Sequence, residues 1–89
     1  MTEVVVQIVN DLGLRARAAA RMVHVANGFS ASIAVTRGAS RVDGKSILGL
    51  LTLAASKGTE LRLRAEGEDE EEALNALRQL VGDRFGEER

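Results

Sequence analysis

The sequence predicts an α+β domain in which three helices cover one face of a four-stranded antiparallel sheet. Two observations predict this fold. Strand-like and helix-like segments follow one another in the order βαββαβα, and 45% of the residues are apolar against 28% charged, as in ordinary globular proteins. A chain of 89 residues is expected to form a single domain, 1–89. Its core must be aliphatic, because Phe29 and Phe85 are the only aromatic residues.

The first two elements are indicated by β-branched residues and by helical periodicity. A run of valine and isoleucine predicts a strand over residues 2–9, which the turn residues of Asn10–Gly13 end. Gly28 follows the first helix as a residue able to take the left-handed conformation that ends helices. That helix is predicted over residues 16–27 from one apolar face, formed by Ala19, Met22, Val23 and Ala26.

The central elements are two short strands and a helix. Residues 32–36 and 40–42 are predicted strands joined by a turn at Arg37–Ala39. Ser46 is a natural N-cap for a helix over residues 47–55, and Gly58 is expected to cap the end of that helix.

The last strand and helix are marked by alternation and by acidic residues. Charged residues and leucines alternate over residues 60–65, which predicts a half-buried strand. Asp69 begins the final helix, with Glu72 three residues later as a capping-box variant. Residues 85–89 are expected to fray.

Composition excludes several functional classes. A net charge of −1 and two aromatic residues argue against nucleic-acid binding, and the absence of cysteine removes disulfides and thiolate chemistry. No spacing of histidine and carboxylates suggests a metal site, so we expect neither a metal nor a cofactor. The sequence shows no signal-peptide pattern and no run approaching ~18 apolar residues, so a cytoplasmic location without membrane insertion is expected.

The segment Gly13–Arg17 is the first candidate site. Here a turn leads into a helix, whose unpaired N–H groups and positive dipole end attract anions. Arg15 and Arg17 add forked donors suited to phosphate. The alternative is that both are solvated surface arginines.

Ser46 and the helix after it form the second candidate. A phosphoryl group on Ser46 would sit at a helix N-terminus near Lys45 and Arg41, and the alternative is a plain capping serine. The helix carries two apolar stripes, of which only one can face the sheet of a two-layer domain. The other is expected to be an exposed partner site unless helix three or a second copy buries it. The stripes are Ile47, Leu48 and Leu51, and Leu50, Leu53 and Ala54.

These segments together resemble the histidine-containing phosphocarrier protein (HPr) family of bacterial sugar-uptake systems. Gly13-Leu14-x-x-Arg17 resembles the family's Gly-Leu-His-x-Arg-Pro-Ala motif, and 44–48 resembles its regulatory serine site. Residues 53–59 and 65–70 resemble its later segments. The resemblance runs from about Val4 to Val81, nearly the whole chain.

The resemblance implies an open-faced β-sandwich that relays phosphate from enzyme I to enzyme IIA through a phosphohistidine. It implies that Arg17 holds the phosphoryl group and that HPr kinase phosphorylates the serine matching Ser46 in some lineages. It also implies a partner-binding surface, which would comprise Arg17, Ala20, Arg21, His24, Ile47, Leu48 and Leu51.

Two positions depart from the family motif. Ala18 replaces its proline, a mild change because alanine is a good helix former. Arg15 replaces the phosphate-accepting histidine, which leaves no intact catalytic residue, because a protonated guanidinium has no lone pair to accept a phosphoryl group. His24 lies seven residues beyond Arg17, roughly 10 Å along the helix, and is too distant to substitute.

Three functions are compatible with this sequence. The first is a phosphocarrier-type protein that does not relay phosphate through residue 15 and acts by docking or through phosphorylated Ser46, as HPr-like regulators lacking the histidine do. The second is an ordinary HPr in which residue 15 was changed by engineering or sequence error. The third is an interaction module that self-associates through Ile47–Leu51.

Overall fold

A computed structural model describes residues 1–89 and confirms the predicted element order βαββαβα. No helix is both long enough and apolar enough to cross a membrane. The elements are β1 (Thr2–Gln7), α1 (Ala16–Ala26), β2 (Ser32–Arg37), β3 (Ser40–Asp43), α2 (Ile47–Thr52), β4 (Glu60–Glu66) and α3 (Glu70–Gly82), followed by a 3₁₀ turn (Arg84–Gly86).

The four strands form one antiparallel sheet in the order β1-β4-β2-β3. Alternation along each strand separates its two faces: Leu61 and Leu63 of β4 are buried, whereas Arg62 between them is exposed. The inward side chains pack under the three helices, and the other face of the sheet is open. The predicted α+β class and open-faced architecture are therefore confirmed.

The core is aliphatic except for one aromatic side chain, Phe85, which is fully buried. The expectation that residues 85–89 fray is wrong. Arg84, Phe85 and Gly86 all have positive φ angles, so the chain reverses after α3 and returns toward the N-terminal part of α1. The backbone oxygen of Phe85 accepts a hydrogen bond from the Arg21 guanidinium, and this contact fixes the reversal.

Helix α2 is shorter than predicted, because it ends at Thr52 and Ala54 then takes a left-handed φ of 49°. Gly58 does not cap it. Gly58 has a φ of 90° and donates its N–H to the Ile8 oxygen (2.7 Å), so its conformation serves the turn into β4. Gly28 is not left-handed either, since Asn27 ends α1 in a right-handed conformation.

The predicted capping box of α3 is also wrong. The Asp69 carboxylate does not cap its own helix but accepts hydrogen bonds from the N–H groups of Ser30 and Ala31, each at 2.9 Å. These bonds, the Ser30 bond foremost, lower the pKa of Asp69. Bonds from the Met1 amino group and then the Thr2 hydroxyl lower the pKa of Glu70 to about 2. Both carboxylates thus tie α3 to distant segments of the chain.

Candidate functional site

The turn before α1 is fixed by a close approach to the segment that follows α2. Gly13 has a φ of 68°, and a Cβ at this position would lie 2.5 Å from the Ala55 oxygen. The Leu14 N–H donates to that same oxygen (2.8 Å), and the Leu14 side chain is buried. Only glycine therefore fits at position 13, and the start of α1 is held in one place.

The N-terminus of α1 presents free donors and two arginines. Arg15 is the N-cap residue, with extended backbone and no side-chain cap, and its oxygen accepts from the Ala19 N–H (2.8 Å). The N–H groups of residues 16–18 have no hydrogen-bond partner within the chain. Arg15 and Arg17 are exposed and form no ion pair. The structure brings these groups together as the sequence predicted, at a helix end that favours anions.

The C-terminal tail, residues 84–89, shares this location, which sequence reasoning missed. Its last four residues line the same depression as Arg15, Arg17 and Arg21. The Asp11 N–H donates to the backbone oxygen of Arg89 (3.1 Å). The tail therefore places Glu87 and Glu88 in the lining of a depression that also holds three arginines, although neither carboxylate forms an ion pair with them. The one sequence feature that indicated an ordered tail was Phe85, because a large apolar side chain is usually buried.

A buried amide joins the tail to the turn. Asn10 is fully buried, and its Nδ2 donates both to the Gly13 oxygen (3.0 Å) and to Oε1 of Glu87 (2.8 Å). Its Oδ1 has no partner. Asn10 thus positions the turn before Arg15 and one tail carboxylate at the same time.

Ser46 is the N-cap of α2, as predicted: its Oγ accepts a hydrogen bond from the Gly49 N–H (3.0 Å). The two predicted cations have other surroundings in the structure. Lys45 Nζ donates to the Phe29 oxygen (2.8 Å), and Lys45 and Arg41 line a groove on the open side of the sheet to which Ser46 does not contribute.

The two predicted stripes of α2 are confirmed except at Ala54. Leu50 and Leu53 are buried, whereas Ile47, Leu48 and Leu51 are 40%, 78% and 36% exposed. Ala54, assigned to the buried stripe, is exposed because α2 ends at Thr52 and the chain turns at Ala54 with a left-handed φ. Sequence reasoning missed a further member: Leu12, 58% exposed, lines a shallow depression together with Leu51 and Arg15. We call Leu12, Ile47, Leu48 and Leu51 the apolar patch. It borders the N-terminus of α1.

The remaining predicted partner residues lie along α1. Arg17, Ala20, Arg21 and His24 line one depression with Val25 and Leu80. The His24 side chain is exposed and makes no hydrogen bond, and it lies two turns from Arg17 along the helix. No imidazole is therefore present at the N-terminus of α1, where Arg15 lies.

Comparison with known proteins identifies the family. The model of the "PTS HPr component phosphorylation site" family matches residues 2–83. The chain belongs to the HPr family of phosphotransferase systems. Among its relatives, the phosphocarrier protein HPr of Pseudomonas aeruginosa is 53% identical over 83 residues, covering 92% of each chain.

Solved HPr-family structures share the fold over nearly the whole chain. HPr-C-His from Thermoanaerobacter tengcongensis has a TM-score of 0.96 and 46% identity, with both chains fully covered. Bacillus subtilis Crh, a catabolite-repression protein whose crystal structure reveals a swapped domain in a dimer, has a TM-score of 0.76 and 42% identity, covering 94% of this chain and 97% of Crh.

Proposed function

We propose that this chain is an HPr-family protein that does not relay phosphate through residue 15 and that acts by docking to phosphotransferase enzymes. The observation that carries the proposal is Arg15 at the N-cap of α1, where the family motif has its histidine. A guanidinium stays protonated at physiological pH and has no acceptor lone pair, so in that form it offers no nucleophilic nitrogen to a phosphoryl group.

The same helix end is suited to hold a phosphoryl group as a ligand. Three free N–H groups, the helix dipole and the guanidinium groups of Arg15 and Arg17 all favour a dianion there. Amide shifts over residues 13–17 on addition of phosphate would report occupancy. Amides that stay unshifted at high phosphate would contradict this part of the proposal.

The docking surface would join two strips of exposed side chains. Enzyme I, enzyme IIA domains and an HPr kinase are the partners expected from the family, all acting in the cytoplasm. The apolar patch supplies desolvated area, and the neighbouring arginines supply charge at its rim. The strip on α1 comprises Arg17, Ala20, Arg21 and His24, and the strip on α2 comprises Ile47, Leu48 and Leu51.

Ser46 is the proposed regulatory phosphorylation site. Its side chain is half-buried and caps α2, so a phosphate on Oγ would lie at the start of that helix and beside the apolar patch. Mass spectrometry after treatment with an HPr kinase should find a modified Ser46 peptide. An unmodified peptide would remove this regulatory role.

The deciding experiment for transfer is incubation with enzyme I, its cofactor and phosphoenolpyruvate. We expect no acid-labile phosphate on this chain, and we expect Arg15→His to acquire it. Acid-labile phosphate on the unaltered chain would overturn the proposal.

The Arg15→His variant also separates the proposal from an altered ordinary phosphocarrier. If this chain is an ordinary HPr changed only at residue 15, the variant should pass its phosphate on to enzyme IIA domains as other HPr proteins do. A variant that accepts phosphate but fails to pass it on would favour the regulatory interpretation.

Self-association is the second candidate function, favoured by the swapped dimer of Crh and by the exposed apolar patch. Sedimentation at high protein concentration tests it directly. A dimer that Leu48→Asp dissociates would support it, and a monomer at all concentrations would remove it.

A further inference from the structure

We propose that the open face of the sheet carries a second anion site, which binds the phosphate group of a small phosphorylated molecule. The site is a groove of about 520 Å³ across β2, β3 and β4, within the range of small-molecule sites. It lies on the opposite side of the sheet from α1, so it does not depend on what residue 15 can do. Its cationic lining residues are Arg41, Lys45 and Arg64.

The strand register places Arg41 and Arg64 on opposite sides of the groove, one on each strand that flanks β2. On the outer face Arg64 of β4 lies beside Ala34 of β2, and Arg41 of β3 lies beside Thr36 of β2. The two arginines lie on the strands either side of β2 and are offset by two residues along the strand direction. This arrangement separates their Cα atoms by about 12 Å. The small Ala34 side chain leaves open space between them, so both guanidinium groups can reach a ligand lying over β2.

These two arginines have no competing partner within the chain. Neither the Arg41 nor the Arg64 side chain makes a hydrogen bond or an ion pair. Glu3 lies beside Arg64 on β1, but its Oε1 is 3.8 Å from Nε of Arg62 instead. Lys45 Nζ makes one bond, to the Phe29 oxygen, and keeps two further donors.

The groove has the charge of a phosphate receptor. Asp43 is its one carboxylate, and Oδ1 of Asp43 already accepts from the Lys45 N–H (2.9 Å). Three cations against one carboxylate leave a net charge of +2, which matches a phosphate monoester of nearly two negative charges. Ser30 and Ser32 add hydroxyl donors at the rim.

The other lining residues restrict which chemical group can be attached to the phosphate. Its apolar residues are Ile33, Ala34 and Val42, and no aromatic side chain is available to stack on a nucleobase. A phosphorylated sugar or polyol therefore fits the groove better than a nucleotide does.

The groove is also rigid where it meets α2. The Gly44 N–H donates to the Ile33 oxygen (2.8 Å), and a Cβ on Gly44 would lie 2.5 Å from Cγ2 of Ile33. The Ser46 N–H donates to the Asp43 oxygen (3.1 Å). A ligand held against this turn should shift the Ser46 amide as well as those of the groove.

The test is a titration of the ¹⁵N-labelled protein with glucose 6-phosphate, and separately with inorganic phosphate and with chloride at matched ionic strength. We expect saturable amide shifts in residues 30–34, 41–46 and 64 with both phosphates and none with chloride. Shifts over residues 13–17 report the α1 end separately, so failure at one site is distinguishable from failure at the other.

Variants decide whether the groove itself binds. The double variant Arg41→Gln/Arg64→Gln should weaken glucose 6-phosphate binding at the groove at least tenfold. Arg62→Gln, which removes one charge from the same face outside the groove, should change it less than twofold. Equal losses in both, or shifts that chloride reproduces, would overturn the proposal, as would a double variant that binds normally. An unchanged amide spectrum away from the substitutions shows that each variant is folded.

Discussion

The N-terminus of α1 and the exposed stripe of α2 lie side by side, yet they differ in what they keep of the HPr family's activity. At α1 the pinned glycine turn, the free N–H groups and Arg17 are all present, but the chain carries Arg15 where the family motif has histidine. At α2 every apolar residue that the resemblance assigns to docking is exposed. The α2 residues proposed for docking and those of the family's transfer motif lie on separate elements, so under the proposed function transfer can be lost while docking stays.

The two regions also differ in what covers them. The apolar patch is open, whereas the α1 end shares its depression with the tail that Phe85 anchors. Glu87 and Glu88 line that depression together with the arginines but form no ion pair with them. We expect these two carboxylates to weaken anion binding at the α1 end.

Removing the anchor of the tail should have the largest effect. Phe85→Ala creates a cavity under α1 and should lower the free energy of unfolding by about 3–5 kcal/mol, measured by urea denaturation. Truncation after Gly86 is the matched control, because it removes the tail carboxylates but keeps Phe85. If the truncated chain loses as much stability as Phe85→Ala, the anchor is not Phe85.

A charge in the apolar patch should break docking but not the fold. Leu48 is 78% exposed, so Leu48→Asp should leave the unfolding midpoint nearly unchanged while weakening enzyme I binding at least tenfold, or about 1.4 kcal/mol, by calorimetry. Val5→Asp places the same charge on an exposed valine of the opposite sheet face. Equal weakening by both variants would place docking elsewhere.

The cap of α2 should have an intermediate effect on stability. Ser46→Ala removes the hydrogen bond to the Gly49 N–H and should cost about 1 kcal/mol in thermal or urea unfolding. Ser46→Asp keeps a capping oxygen and should restore most of that loss. If alanine and aspartate are equally destabilising, the serine does not stabilise α2 through its cap.

The smallest expected effect concerns the tail carboxylates beside the α1 end, which have no counterpart over the apolar patch. Glu87→Gln/Glu88→Gln should tighten phosphate binding at residues 13–17 roughly two- to fivefold, the range of exposed charge interactions. Glu71→Gln/Glu72→Gln makes the same change of net charge at exposed positions of α3 and should leave that affinity unaltered. A double tail variant with unchanged affinity would show that the tail does not compete.

Local patterns were sufficient for the element order, the sheet faces and the local geometry around Arg15 and Ser46. The alternation in β4, the exposed stripe of α2 and the glycine turn before Arg15 depend on residues near in sequence, and each was correctly predicted. Ala54 is the exception, since it was assigned to the buried stripe but is exposed beyond the end of α2. The resemblance supplied the roles of these sites, which composition and periodicity alone could not assign.

The errors share one physical cause, which is contact between residues far apart in the chain. Asp69 looked like a cap for α3 but binds the N–H groups of Ser30 and Ala31. Residues 85–89 were predicted to fray, but Phe85 is buried and its oxygen accepts from Arg21 of α1. The site that buries Phe85 forms only when the helices pack together. No periodicity within either segment encodes such partners.

If this chain docks to enzyme I without receiving phosphate, spectra of a single sample can show both the docking and the absence of transfer. The ¹⁵N-labelled chain is mixed with enzyme I, its cofactor and phosphoenolpyruvate, and amide and ³¹P spectra are recorded on the same sample. We predict shifts or broadening at Leu12, Ile47, Leu48 and Leu51 with no phosphoramidate signal on this chain. A phosphoramidate signal, or amides of the apolar patch that do not respond to enzyme I, would contradict the account.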